Sequence, residues 1–173
     1  MAPSTNLSLL LTISMIFISH AISRTSSPNL YKSVCKEIGK EPYEQPCLKL
    51  LETYPQITSA IDYLTFSRLF LRIVAIDNAT KVQHKVKEMT KKYPSSQAIK
   101  GCNIHYDVIV DELTGALDED KIYISLDVVY AFDALEKCSL VNEKIFNISS
   151  ISTMNSEMEL ILAIISSAAN HVL

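Results

Sequence analysis

The stretch PQITSAIDYLTFSRLFLRIVAIDNATKVQHKVKEMTKKYP, from Pro55 to Pro94, decides the fold class. Between its bounding prolines it holds no glycine and no further proline. Ile57, Ile61, Leu64, Leu71, Val74, Val82, Val86 and Met89 recur along it at helical steps. The spacing predicts one helix of about nine turns, bent along its length. The rest of the chain agrees, because Gly39, Gly101 and Gly115 are its only glycines and Pro94 is its only proline after Pro55. Short strands and tight hairpins need more turn residues than that.

Downstream of Pro94, Ser95 and Ser96 offer a helix N-cap, after which Cys102, Tyr106, Ile109, Leu113 and Leu117 form a second apolar stripe. Asp118, Glu119 and Asp120 make an acidic turn suited to the positive end of a third helix, whose stripe is Ile124, Val128, Ala131, Leu135 and Cys138. Ser139 to Asn155 reads as a polar linker. Met154, Met158, Ile161, Ile165, Ala168 and Val172 give a fourth stripe. Four amphipathic helices with short connections predict an all-α fold, an antiparallel four-helix bundle over residues 55–173. Residues 28–54 are different. Two short helical pieces, Leu30 to Ile38 and Tyr43 to Thr53, flank GKEP at 39–42 and predict an N-terminal helical hairpin.

The first residues carry an address rather than a fold. NLSLLLTISMIFIS at 6–19 is apolar, no Asp, Glu, Lys or Arg precedes Arg24, and Ala21 and Ser23 give a small-residue cleavage site. The expectation is a signal peptide over 1–23 and a single exported domain over 24–173, with no membrane association after cleavage. Cys35, Cys47, Cys102 and Cys138 all follow the leader, and an even count in an exported chain predicts two disulfides, for which sequence alone permits three pairings. No cysteine pair has zinc-ligand spacing and no histidine completes one, so no metal is expected. The formal net charge is -3, and nothing in the composition suggests a nucleic-acid binder, which normally has a strongly basic balance.

Nothing in the chain assembles a nucleophile with its base, and no G-x-S-x-G occurs, so no catalysis and no cofactor are expected. Asp107, Asp111, Glu112, Asp118, Glu119 and Asp120 read as a solvated helix face and turn rather than an acid/base pair. Lys81, Lys85, Lys87, Lys91 and Lys92 form a basic cluster able to steer a partner. The sequons at Asn78 and Asn147 are candidate glycosylation sites.

Several of these residues together carry a resemblance. Cys35 to Cys47 followed by Leu48, Lys49, Leu51, Tyr54 and Pro55 resembles the N-terminal hairpin of the plant invertase inhibitor and pectin methylesterase inhibitor family. Gly101, Cys102 and Tyr106, then Ala131, Phe132 and Asp133 ahead of Cys138, resemble that family's later cysteine motifs. Tyr43, four residues before the second cysteine, and Lys137, just before the fourth, depart from the pattern. The resemblance implies a four-helix bundle with a helical hairpin, pairing of Cys35 with Cys47 and of Cys102 with Cys138, and a secreted monomer. It implies a non-enzyme that blocks a pectin methylesterase or an acid invertase by 1:1 occlusion of the active-site cleft, in the apoplast or, alternatively, the vacuole. A related exported interaction or allergen-like protein without inhibitory activity is the reading of another class. Some invertase-directed members carry Pro-Lys-Phe before the third bundle helix, where this chain has Asp120-Lys121-Ile122-Tyr123, which favours pectin methylesterase. The expected contact surface lies on the second and third bundle helices, at Asp107, Asp111, Glu112 and Asp127, flanked by Asp118, Asp120 and Lys121.

Overall fold

The computed structural model describes residues 30–39, 42–118, 123–145 and 149–172, with side chains throughout these except at 140–145 and 149. The leader expected at 1–23 lies outside the described residues, as do Glu119, Asp120, Lys121 and Asn147. Among the described residues the regular structure is entirely helical.

The hairpin forms from two short amphipathic helices. Helix α1, Leu30–Glu37, buries Leu30, Val34 and Cys35, and α2, Glu44–Glu52, buries Cys47 and Leu51. Gly39 follows α1 with φ of 115°, a conformation that side chains with a Cβ rarely adopt. The arms are joined by the Cys35–Cys47 disulfide, with Cα atoms 5.5 Å apart. A single turn, α3 (Pro55–Thr58), follows, with Pro55 at a position where its missing N–H would have no helical partner.

The long helix expected from Pro55 does not run unbroken. The chain leaves helical structure after Thr58 and restarts at Tyr63, because Asp62 takes an extended backbone and caps the new start. Its carboxylate accepts the Thr65 N–H at 2.7 Å and the Thr65 hydroxyl at 2.8 Å. An Asp cap of this kind contributes about 1 kcal/mol, enough to set where a helix begins. Ile61, placed by its spacing in the apolar stripe, therefore falls in the break and is 77% exposed.

From Tyr63 onward the helix does continue to Lys92, as α4 (Tyr63–Phe70), a π-helical turn (Leu71–Ala75) and α5 (Ile76–Lys92). The π turn has a cause in the sequence. Ser67, Leu71, Ala75 and Ala79 are buried at steps of four, and Phe66, Phe70 and Val74 repeat the same step. A period of four drifts around an ordinary α-helix, and a wider turn keeps both rows on the core. Beyond Ala79 the buried steps return to three and four, at Val82 and Val86.

Helices α6 (Gln97–Asp118), α7 (Ile124–Ile145) and α8 (Ser149–Ala169) complete the bundle. Ser96 caps α6, its hydroxyl accepting the Ile99 N–H at 3.3 Å. Helix α6 packs on α5 and α7, and α8 packs on α7 and α5, so α5 and α7 stand diagonally opposite. The Cys102–Cys138 disulfide ties the start of α6 to the far half of α7, with Cα atoms 4.5 Å apart. Each residue of the third and fourth stripes is buried, as are Cys102, Tyr106, Ile109 and Leu113 of the second.

The polar linker expected over Ser139 to Asn155 is instead mostly helix, since α7 reaches Ile145 and α8 begins at Ser149. Its polarity has an internal use at one end. Asn155 is 6% exposed, and its side chain accepts the Tyr106 hydroxyl at 2.8 Å while its amide donates to the Ser139 hydroxyl at 2.9 Å. Burial holds the Tyr106 phenol far above its ordinary pKa, so it stays a donor. Tyr106→Phe strands the Asn155 oxygen in the core and is expected to cost about 1–3 kcal/mol. Thermal melts read this directly, and a variant that melts with the wild type would contradict the assigned bond.

The hairpin docks on α8 through polar contacts. The Tyr43 hydroxyl donates to Glu159 at 3.0 Å, which gives a use to the tyrosine that departs from the family spacing. Glu37 accepts the Ser167 hydroxyl at 3.0 Å and lies 2.8 Å from His171 Nε2. The His171 ring stacks on Tyr63, centroids 4.3 Å apart.

Candidate functional site

Two helices locked side by side supply the broadest unusual surface. Of eight large hydrophobic side chains exposed among the described residues, six belong to α6, α7 or the residue leading into α7: Ile104, Val108, Tyr123, Leu126, Val129 and Tyr130. Exposed apolar side chains scattered singly need no explanation, but a group on two adjacent helices marks an interaction surface. On α6, Ile104 and Val108 stand one turn apart on the side away from Cys102, Tyr106 and Ile109. On α7, Leu126 and Tyr130 likewise stand off the buried row Ile124, Val128, Ala131 and Leu135, whereas Val129 lies toward α8, in a hollow bordered by Glu159.

Carboxylates border this apolar group. Asp107 and Asp111 are exposed on α6, one helical turn apart, and Asp133 and Glu136 are exposed on α7. Asp107 is oriented by neighbours, accepting from Gln83 of α5 at 2.8 Å and, at 3.5 Å, from Asn103. Asp133 is paired with Lys137 at 3.0 Å. Asp118 is exposed at the end of α6.

Two expected contact residues stand elsewhere than on the open face. Asp127 is half-buried and one of its carboxylate oxygens is fully covered, 3.6 Å from where a β-carbon on Gly115 would stand. It faces α6 because it stands one turn from the buried Ile124 and Ala131 on the same side of α7, and a glycine opposite leaves room for it. Glu112 is half-buried as well. The apolar residues of this surface had a sequence signal, namely their failure to fit the buried stripes.

His105 lies half-buried among these groups, and burial, then the positive charge of Lys137, lowers its pKa from the ordinary 6.5. The folded state therefore binds this proton less readily than the unfolded chain does. Stability falls as pH drops below about 6.5 toward the lowered value, and His105→Asn is expected to remove that part of the slope. Melting temperatures of both proteins at pH 7.5 and pH 5 measure it. An identical acid-side decline in the variant would rule out His105 as its source.

Asn78 sits within α5, half-buried, and the Thr80 hydroxyl of its sequon donates to the Ile76 carbonyl at 2.8 Å. A sequon is more often found on an open loop than within a helix. Among the described residues no group of three or more His, Cys, Asp or Glu is arranged to hold a metal ion. Among them, too, no helix is long and apolar enough to cross a membrane.

The described residues thus form a helical hairpin and a four-helix bundle, with a disulfide in each. The family model described as plant invertase/pectin methylesterase inhibitor matches residues 29–158, well over half of the chain. The chain belongs to that family. The match runs from the hairpin through α7 and into α8, and so includes both disulfides and the whole of the exposed apolar face. Members of the invertase/pectin methylesterase inhibitor family act as inhibitors of one or other of those enzymes rather than as catalysts. No curated protein and no solved structure matches the chain.

Proposed function

We propose that this protein is a secreted inhibitor of pectin methylesterase that lies across the mouth of the enzyme's active-site cleft in a 1:1 complex. The observation that carries the reading is the apolar face of α6 and α7, rimmed by carboxylates and held by the Cys102–Cys138 disulfide. Occlusion needs a rigid surface that loses little freedom on docking, and two disulfide-linked helices meet that need without any reactive group. Exposed Tyr123 and Tyr130 are the residue type that most often dominates binding energy at the centre of an interface. Asp107 and Asp111 at the margin steer the approach more than they hold the complex.

Pectin methylesterase is preferred to invertase because the segment before α7 reads Asp120-Lys121-Ile122-Tyr123, sharing only its lysine with Pro-Lys-Phe. The leader and the two disulfides suit an oxidising extracellular space, the apoplast, where such an enzyme acts. Size-exclusion chromatography with light scattering tests the partner. A mixture with pectin methylesterase should give a peak of the summed mass of one copy of each, while a mixture with acid invertase should leave both proteins eluting alone. A complex with invertase only would transfer the reading to the other enzyme.

A further inference from the structure

The bundle has a second distinctive surface, on the opposite side from the apolar face, where α5 meets α8. Between Lys81 and Lys92 the chain has five lysines and one glutamate, although its formal net charge is -3. Helix C-termini favour cations, which accounts for Lys91 and Lys92 but not for Lys81, Lys85 and Lys87 further up α5. Lys81 is paired with Asp77. Among the described residues no carboxylate lies within ion-pair reach of Lys85, Lys87, Lys91 or Lys92.

Lys85 and Lys92 stand beside an open groove of about 590 Å³, whose opposite wall is Ser150 and Thr153 of α8 and whose floor is Met89 and Met154. A second hollow of about 500 Å³ shares Met89, Lys92 and Ser150 with it and extends it past Tyr93 to Ser95 and Ser96. Lys92 Nζ lies 5.3 Å from the centre of the Tyr93 ring, which is 44% exposed. Glu88 and Glu157 also border the groove, and Glu88 faces His84 at 3.7 Å. Helices α5 and α8 touch less than the other neighbouring pairs, which leaves the hollow open along the bundle.

We infer that this groove binds an acidic polysaccharide, a polyuronate chain, and so holds the inhibitor on an anionic matrix. Lys85 and Lys92 fall on one stripe of α5, seven residues apart, so they span about 10 Å along the axis. That matches a chain bearing carboxylates at regular intervals better than a single small anion. Hydroxyl-lined walls offer partners to sugar hydroxyls, and an exposed aromatic ring offers a face for a sugar ring to pack on. A lipid surface would call for several apolar side chains around the lysines, and Tyr93 is the only large exposed one there among the described residues. Single-stranded DNA, which would meet the same lysines, is made an outcome of the test below. Since α5 and α8 lie across from the α6–α7 face, a matrix-bound molecule keeps that face open. Where the target is a pectin methylesterase, its reaction converts esters to carboxylates and so creates the anion that this groove recognises. This last link rests on the proposed function, whereas the binding itself does not.

The test uses the mature oxidised protein without any enzyme. Binding to immobilised polygalacturonic acid is measured by surface plasmon resonance at 50 and 200 mM salt, for the wild type and for Lys85→Gln with Lys92→Gln. Fully methyl-esterified polygalacturonate, single-stranded DNA and vesicles rich in phosphatidylserine serve as comparison surfaces. The expected result is binding to polygalacturonic acid that weakens at least fivefold in the double variant, weakens with salt, and is absent on the esterified polymer. A hairpin variant, Lys36→Gln with Lys49→Gln, should bind as the wild type does. No binding at 50 mM salt, an equal loss in the hairpin variant, or equal retention on DNA or vesicles would each overturn the inference. Intact inhibition with absent polymer binding would reject the groove and leave the proposed function standing.

Discussion

Replacing Cys102 and Cys138 together by alanine is expected to cost about 2–5 kcal/mol of stability, more than replacing Cys35 and Cys47 together. The first pair closes a 36-residue separation and lies inside the bundle, where both cysteines are at most 1% exposed. The second closes a separation of 12 in the hairpin. Loop entropy alone separates the two by about 1 kcal/mol, from about 4 to about 3. All four cysteines are fully buried, so a cavity cost applies to both pairs and the loop closure sets their order. Denaturant unfolding with matched slopes reads the difference. Equal midpoints, or a hairpin pair that matters more, would contradict the assignment of the bundle as the cooperative core.

Those two pairs also show how far the sequence carried the architecture. The apolar steps of α6 and α7 placed Cys102 and Cys138 in facing stripes of adjacent helices, and both stripes are buried. Long helices are legible because a buried face must repeat with the helical period. Asp62 was less legible, since a polar residue inside an apolar periodic stretch reads equally as a surface position or a cap. Its capping of Thr65 ends the run that began at Pro55 and exposes Ile61. Asn155 is hard to place from sequence for a related reason. Polar residues between two apolar stripes suggest a loop, and only the pairing with Tyr106, distant in sequence, shows that one of them is a core residue.

The candidate surface divided in the same way. Asp107, Asp111 and Asp118 stand exposed as their helical positions predict, while Asp127 turns toward Gly115 and Glu112 is half-covered. Periodicity gives the direction of a side chain from its own helix but not where a neighbouring helix covers it. Ile104, Val108 and Tyr130 lie off every buried stripe, and periodicity alone does not distinguish an isolated exposed apolar residue from part of an interaction surface.

Val108→Ser combined with Tyr130→Ala is expected to weaken inhibition about 30-fold or more, the loss of about 2 kcal/mol that interface anchors commonly show. Both residues are exposed, Tyr130 at 49%, so the helices should survive the change. Asp111→Ala should act differently, slowing association and flattening its dependence on salt while leaving dissociation nearly unchanged. Stopped-flow association and circular dichroism together separate these effects. If the well-folded double variant inhibits as the wild type does, the α6–α7 face is not the occluding surface, and the hairpin becomes the next candidate.

The most direct measurement is a titration of the purified, fully oxidised protein into pectin methylesterase at an enzyme concentration well above the dissociation constant, following release of protons from methyl-esterified pectin. The account predicts a linear fall of activity that reaches zero at one equivalent, with the inhibitor recovered intact afterwards. Full esterase activity in the presence of several equivalents of folded protein would contradict it.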